Sequence, residues 1–178
     1  MSASDPSEVY SRKTIIPDDE WALISTSEIL KATGDRERMA LMPYRSSRWI
    51  EEKLRVAIEG SDGAKRKTSV YVATLLYDIL TVRKFLYYIS CMRSVMKNDR
   101  SLSSIDSATL ASKFNNMPKL ILDSLIKRFA ETSGSKTSLT TASKTKLMSY
   151  MFALMLMVEN FVIDTQKVAD DLSMPSTK

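Results

Sequence analysis

Apolar positions recur at helical spacing along most of the chain, and one short pattern occurs twice. Ile105-Asp106-Ser107-Ala108-Thr109-Leu110-Ala111-Ser112-Lys113-Phe114 leads into Met117-Pro118, and fifty-eight positions later Ile163-Asp164-Thr165-Gln166-Lys167-Val168-Ala169-Asp170-Asp171-Leu172 leads into Met174-Pro175. Each copy opens with an apolar residue and an Asp able to cap a helix. Each continues as a short helix with apolar residues at i, i+1 and i+4, turns, and restarts at a Pro suited to the first position of a new helix. Short helix, turn and Pro-started helix outline a helix-turn-helix unit.

The surrounding pattern extends this outline. Tyr71 to Leu80 and Val82 to Met96 are apolar nearly all round, which predicts two core helices. Asn98 to Ser104 is polar except for Leu102 and reads as a loop. The first unit follows, with a short helix from about Asp106 to Phe114 and a longer one from Pro118 to Glu131. In the longer helix Ile121, Leu122, Leu125, Phe129 and part of Ile126 face inward, whereas Lys119, Asp123, Lys127 and Arg128 face outward. Thr132 to Ser143, rich in Ser, Thr, Gly and Lys, suits a small β-hairpin or wing. Ser143 is the expected cap of a helix over Lys144 to Glu159, and Phe161-Val162-Ile163 reads as a short strand before the second unit.

The N-terminal third is sparser. Residues 1–13 read as disordered, Pro17 with Asp18, Asp19 and Glu20 as a helix start with acids facing its dipole. Ser25 or Thr26 caps a short turn of helix that ends near Gly34. Ser46 or Ser47 opens a helix through Trp49, Ile50, Leu54, Ala57 and Ile58 that ends at Gly60. These are islands of helix on an extended path without a core of their own. The expected architecture is mainly α: an extended linker with short helices (1–63), a first winged-helix domain (64–142) and a partial second one (143–178). The second copy stops at Pro175, where its long helix would begin.

Composition agrees with a helical protein. Four Gly and five Pro in 178 residues, against many Leu, Met, Ala, Lys and Ser, favour helix. The one cysteine, Cys91, lies in an apolar run and reads as a buried inert thiol in a reducing compartment. The polar, acidic N-terminus is no signal peptide. The longest apolar run, Tyr150 to Val158, is too short to span a bilayer. Together these point to an intracellular soluble protein with no membrane partner.

Charge changes the picture further. Residues 1–60 hold 9 Lys/Arg and 11 Asp/Glu, a net of −2, while residues 65–146 hold 15 and 5, a net of +10. The excess falls on the first unit, where a phosphate-binding surface needs it. The chain has no histidine and one cysteine, so the commonest general base and the usual zinc ligands are missing. Its four glycines are too scattered for a phosphate-cradling loop. Glu51-Glu52 and Asp170-Asp171 diverge by roughly 100° on a helix and read as solvated faces. No catalytic activity and no cofactor are expected.

Candidate DNA-binding residues are Lys119, Lys127 and Arg128 on the outer face of the long helix, Lys136 in the wing, and Lys144 and Lys146 after it. Lys65, Arg66 and Lys67 form a basic cluster at a helix start, unfavourable to the dipole and better explained by a phosphate partner. Asp123 on the outer face argues for backbone contact rather than base readout. Tyr71, Tyr77, Tyr87 and Tyr88 read as core packing. Trp21, Tyr44, Arg48 and Trp49 are candidates for docking, on this domain or on a partner.

Several of these stretches resemble one family. Ile15-Ile16-Pro17-Asp18-Asp19-Glu20-Trp21 and Leu41-Met42-Pro43-Tyr44-Arg45-Ser46-Ser47-Arg48-Trp49-Ile50 are similar to the forty-nine-kilodalton subunits of eukaryotic RNA polymerase I. So are Met117-Pro118-Lys119-Leu120-Ile121-Leu122-Asp123, Lys144-Thr145-Lys146-Leu147-Met148-Ser149-Tyr150, Phe161-Val162-Ile163-Asp164 and Val168-Ala169-Asp170-Asp171-Leu172. The resemblance implies a linker followed by a tandem winged helix related to that of the general factor TFIIE. It also implies DNA binding by that module, a linker running across the polymerase cleft, and support of initiation and elongation on ribosomal DNA in the nucleolus. The family's N-terminal dimerisation module has no counterpart here, nor does the second winged helix beyond its short helix, so heterodimer formation is not carried over. The expected function is that of a non-catalytic part of an RNA polymerase I subunit that binds duplex DNA with little sequence preference and docks on other polymerase subunits. The alternative is a protein–protein adaptor whose winged helix contacts only polypeptide.

Overall fold

A computed structural model describes residues 11–64, 70–103, 112–114, 116–134 and 136–172, without the side chains of 60–64, 70–78 and 103. The N-terminal segment contains α1 (Arg12–Ile15), α2 (Asp18–Leu23), α3 (Ser27–Lys31), α4 (Asp35–Ala40) and the longer α5 (Arg48–Ala64). Pro17 precedes α2 and its three acids fill the first turn, as expected. Ser47 starts α5: its Oγ accepts a hydrogen bond from the Ile50 amide at 3.0 Å. Arg12 and Lys13, read as disordered, belong to α1. Gly34 does not end α3, which closes at Ala32; it precedes α4 in extended backbone. Nor does α5 end at Gly60. It runs through Gly60-Ser61-Asp62-Gly63 to Ala64, because glycine weakens a helix by only about 1 kcal/mol and does not forbid it.

The two predicted core helices are one, α6 (Val70–Lys97), since Thr81 between them carries neither a proline ring nor a missing amide. A 3₁₀ turn (Asp99–Ser103) follows, with Leu102 buried beneath it. Then come α7 (Lys119–Phe129), an antiparallel hairpin of β1 (Glu131–Ser133) and β2 (Lys136–Ser138), α8 (Thr141–Val158) and α9 (Thr165–Leu172). The hairpin pairs Glu131 with Ser138 and turns at Gly134, whose φ of 62° lies in the left-handed region that glycine enters without strain. Thr140 rather than Ser143 caps α8: its Oγ1 accepts from the Ser143 amide at 3.2 Å, and the Ser143 hydroxyl donates to Glu131.

The second repeat behaves as read at its start. Asp164 Oδ1 accepts from the amides of Gln166 (3.0 Å) and Lys167 (3.2 Å) at the head of α9. Phe161-Val162-Ile163, however, is no strand. Asn160 and Phe161 adopt φ values of 51° and 63°, which reverse the chain directly after α8 and leave it no partner to pair with among the described residues. The short helix of the first repeat, Asp106 to Phe114, falls mainly outside the described residues.

One apolar cluster joins the N-terminal islands to the C-terminal helices. Ile16, Met42 and Ile50 are fully buried together with Leu86, Tyr88, Ile89, Met92, Leu125 and Met151. The islands therefore do not lie on a coreless path. The 17-residue α5 packs along α6, and α1 packs against α8; the shorter α3 and α4 follow α5, their buried residues joining the same cluster. Burial of such a side chain is worth about 1.5–3 kcal/mol, enough to hold a short helix that would melt in isolation. Cys91 is fully buried, and loss of solvent pushes its thiol well above the ordinary range, as an inert cysteine requires.

Candidate nucleic-acid interface

Helix α7 presents the predicted two faces, with one exception. Ile121, Leu122, Leu125 and Phe129 are buried, Ile126 partly so, and Lys119, Asp123 and Lys127 are exposed. Arg128 turns inward. Its Nη1 donates to the carbonyl of Ile15 (2.8 Å), and its Nη2 to the Glu20 carboxylate (3.2 Å) and to the Tyr88 hydroxyl oxygen. Ser124 and Tyr88 also donate to Glu20, which is 1% exposed. Arg128 is therefore no outward phosphate contact. A buried carboxylate needs a cation, and Arg128 supplies it across 108 residues of sequence. The signal was present: Glu20 stands at i+4 from Ile16 and i−4 from Ile24, in the middle of an apolar stripe.

The remaining basic candidates surround α7, the hairpin and the head of α8. Lys136 is exposed on β2, and Lys146 is exposed on α8 with its ammonium 5.6 Å from the Phe129 ring. Lys144 is half-buried and paired with Asp99 at 2.6 Å. The Lys144 hydrogen bond holds the Asp99 carboxyl below its ordinary value. Lys65, Arg66 and Lys67 lie outside the described residues. Three cations escaped the sequence reading: Lys97, Arg100 and Lys113, which share a cleft with Lys144. They are scattered along the chain, and no spacing rule groups them.

The docking candidates separate. Trp49 is 4% exposed and belongs to the core, so its ring is not free for a partner; a large aromatic in a sparse segment found its pocket within this domain. Trp21 is half-buried against Phe85 (5.4 Å between ring centres), with Lys84 and Arg12 over its faces at 4.8 and 4.9 Å. Tyr44 is likewise half-buried, its ring covered by Arg93 at 4.8 Å. Arg48 is exposed at the rim of a groove it shares with Tyr44, Lys167 and Asp171. Asp171, from α9, closes that groove by accepting from Ser47 Oγ (2.9 Å) and from the Trp49 amide (3.2 Å). Tyr87 and Tyr88 of α6 are buried and fit the core reading, and burial drives both hydroxyls upward in pKa. The side chains of Tyr71 and Tyr77 lie outside the described residues.

Among the described residues no group of His, Cys, Asp and Glu is placed to hold a metal ion, and no helix is long and apolar enough to cross a membrane. Comparison with known proteins supplies what geometry alone does not. The A49-like RNA polymerase I associated factor family matches residues 1–178. The chain belongs to that family. It is 26% identical over its whole length to "DNA-directed RNA polymerase I subunit rpa49" of Schizosaccharomyces pombe, and 22% identical to "DNA-directed RNA polymerase I subunit RPA49" of Saccharomyces cerevisiae. It spans 38% and 40% of those two relatives, about two fifths of their length. Within the A49-like family, then, this chain corresponds to a mainly helical portion with a hairpin between α7 and α8.

Proposed function

We propose that this chain is the part of an RNA polymerase I subunit that holds duplex DNA by its phosphate backbone and docks on other polymerase subunits, without catalysis of its own. The observation that carries this reading is the run α7, hairpin, α8 with Lys119, Lys127, Lys136 and Lys146 exposed along it. A helix followed by a wing is how a winged helix ends, and α8 would open the next copy, so the reading includes a TFIIE-like tandem, its first copy over 64–142, its partial second over 143–178, and a linker over 1–63. Exposed lysines with Asp123 among them suit phosphates better than base edges. The proposed setting is ribosomal RNA transcription in the nucleus, at the nucleolus.

The test is fluorescence anisotropy of a labelled duplex across salt concentrations. Binding is expected with little sequence preference and an affinity that falls linearly with log salt. Reversing Lys127 and Lys136 to Glu should weaken all duplexes alike. Undetectable or salt-insensitive binding at low ionic strength overturns the reading. One observation favours the adaptor alternative: Leu120 is 47% exposed on the same outer face, between Lys119 and Asp123. Crosslinks from Lys119, Lys136 and Lys144 to polypeptide alone would decide for it.

A further inference from the structure

We propose that the cleft lined by Lys97, Arg100, Lys113 and Lys144 is the principal seat for a nucleic-acid phosphodiester backbone. This rests on the DNA-binding reading above but moves the main contact away from the outer face of α7. The cleft has a volume of about 690 Å³ and is open to solvent, wide enough for a stretch of sugar-phosphate. Its cations come from four places: the end of α6, the 3₁₀ turn, the segment before α7, and the first turn of α8. The one carboxylate among the described residues of its wall, Asp99, is bound to Lys144 at 2.6 Å. Lys97 and Arg100 are exposed and form no ion pair among the described residues, and the Lys113 ammonium donates to a neutral hydroxyl, Ser101 Oγ, at 2.8 Å.

Among the described residues, then, three positive charges without an ion-pair partner converge on one concavity. Stability does not call for them, because like charges at close range repel and the concave wall concentrates their field. The negative end of α6 offsets Lys97 at most. A phosphodiester has the complementary charge and takes several ammonium and guanidinium donors at once. Arg93 also lines the cleft but is committed elsewhere, donating to the carbonyl of Asp171 and covering Tyr44. Strand β2 lies against the 3₁₀ turn, so Lys136 continues the basic edge beyond the cleft. By contrast the outer face of α7 offers Lys119 and Lys127 with Asp123 and Leu120 between them, a weaker net field on a convex surface.

The experiment compares the full chain with two double variants of equal charge change, Lys97→Glu with Arg100→Glu and Lys119→Glu with Lys127→Glu. Each is titrated against the same labelled duplex from low to moderate salt, after thermal melts establish folding. The cleft variant should lose about ten-fold or more in affinity and flatten the slope of log Kd against log salt by about 2, one unit for each phosphate no longer neutralised. The α7 variant should lose less on both counts. If the charge reversal unfolds the protein, Lys97→Gln with Arg100→Gln replaces it, with a slope change of the same sign. Equal losses in the two variants, or an unchanged cleft variant, overturn the proposal while leaving DNA binding intact. If the parent chain binds no duplex, the DNA reading fails and inorganic pyrophosphate becomes the probe. Amide shifts at Lys97, Arg100, Ser101 and Lys113 in its titration then support the cleft as a phosphate seat, and their absence overturns it.

Discussion

Lys127 and Arg128 are adjacent on one helix and meet opposite surroundings. Arg128 lies inside with a carboxylate, a carbonyl and a phenol oxygen around its guanidinium, whereas Lys127 stands in water. The same contrast separates two larger regions. The Glu20–Arg128–Tyr88–Ser124 network is largely buried and charge-balanced, and the Lys97–Arg100–Lys113–Lys144 cleft is open and, among the described residues, short of acid. Among the described residues of the basic segment, the buried cations are Arg83 and Arg93 within α6, and Arg128 is half-buried and inward-facing. Arginine suits that role, because its planar fork serves several acceptors and it holds its charge when desolvated. The net of +10 over residues 65–146 therefore overstates the surface available to a polyanion; part of it is structural.

The strongest way to break this contrast is Arg128→Ala. It strands Glu20, 1% exposed, without its cation and removes the tie from α7 to the carbonyl of Ile15. Removing one partner of a buried pair costs about 3–5 kcal/mol, so urea unfolding should show a loss of that order. The fraction that remains folded should bind duplex DNA with the parent affinity. A stable Arg128→Ala protein with weakened DNA binding would return Arg128 to the surface role its sequence position suggested.

Arg128 also shows where sequence ceased to be informative. Ile121, Leu125 and Phe129 could be placed inside because amphipathic spacing is a local property, and the hairpin because a glycine among Ser and Thr marks its turn. Asp164 could be placed as a cap for the same reason. The Pro43-to-Ile50 stretch pointed to the RNA polymerase I family before any coordinate. What stayed hidden was long-range pairing. Glu20 stands in an apolar stripe, but nothing local names Arg128, 108 positions away, as its partner, and Trp49 looks like an anchor for a partner until the core closes over it. Of the candidate site, Lys119, Lys127, Lys136 and Lys146 proved exposed as read, but Lys97, Arg100 and Lys113 become neighbours only through the packing of the 3₁₀ turn.

A second, smaller break concerns another partnered arginine, Arg93. Asp171 ties Arg93, Ser47 and the Trp49 amide together, so that α9 helps to cap α5 from across the molecule. Asp171→Ala leaves the Ser47 hydroxyl and the Trp49 amide without that acceptor. The expected cost is about 1–3 kcal/mol, seen as a lower unfolding midpoint and faster amide exchange at Trp49 and Ile50. Unchanged exchange there would mean that Ser47 alone secures the start of α5.

The smallest expected change in stability is the one that best sharpens the comparison, because it acts oppositely on the two properties. Asp99 is the acid of the cleft wall, and its pairing with Lys144 lowers its pKa below the ordinary 3.8. A carboxyl with a lowered folded-state pKa stabilises the fold above its unfolded value and loses that contribution as pH falls through the lowered one. Asp99→Asn should thus cost less than about 1 kcal/mol at neutral pH, as half-exposed pairs do, and the variant and parent should converge in stability below about pH 4. Duplex affinity should rise a few-fold at low salt, in keeping with about 1 kcal/mol for one unit charge roughly 4 Å away in water. The buried network predicts the reverse for its own acid: Glu20→Gln removes a charge that Arg128 needs, and should destabilise the fold without tightening DNA. If Asp99→Asn left duplex affinity unchanged at low salt, the cleft would carry no more of the binding than any other basic surface of the chain.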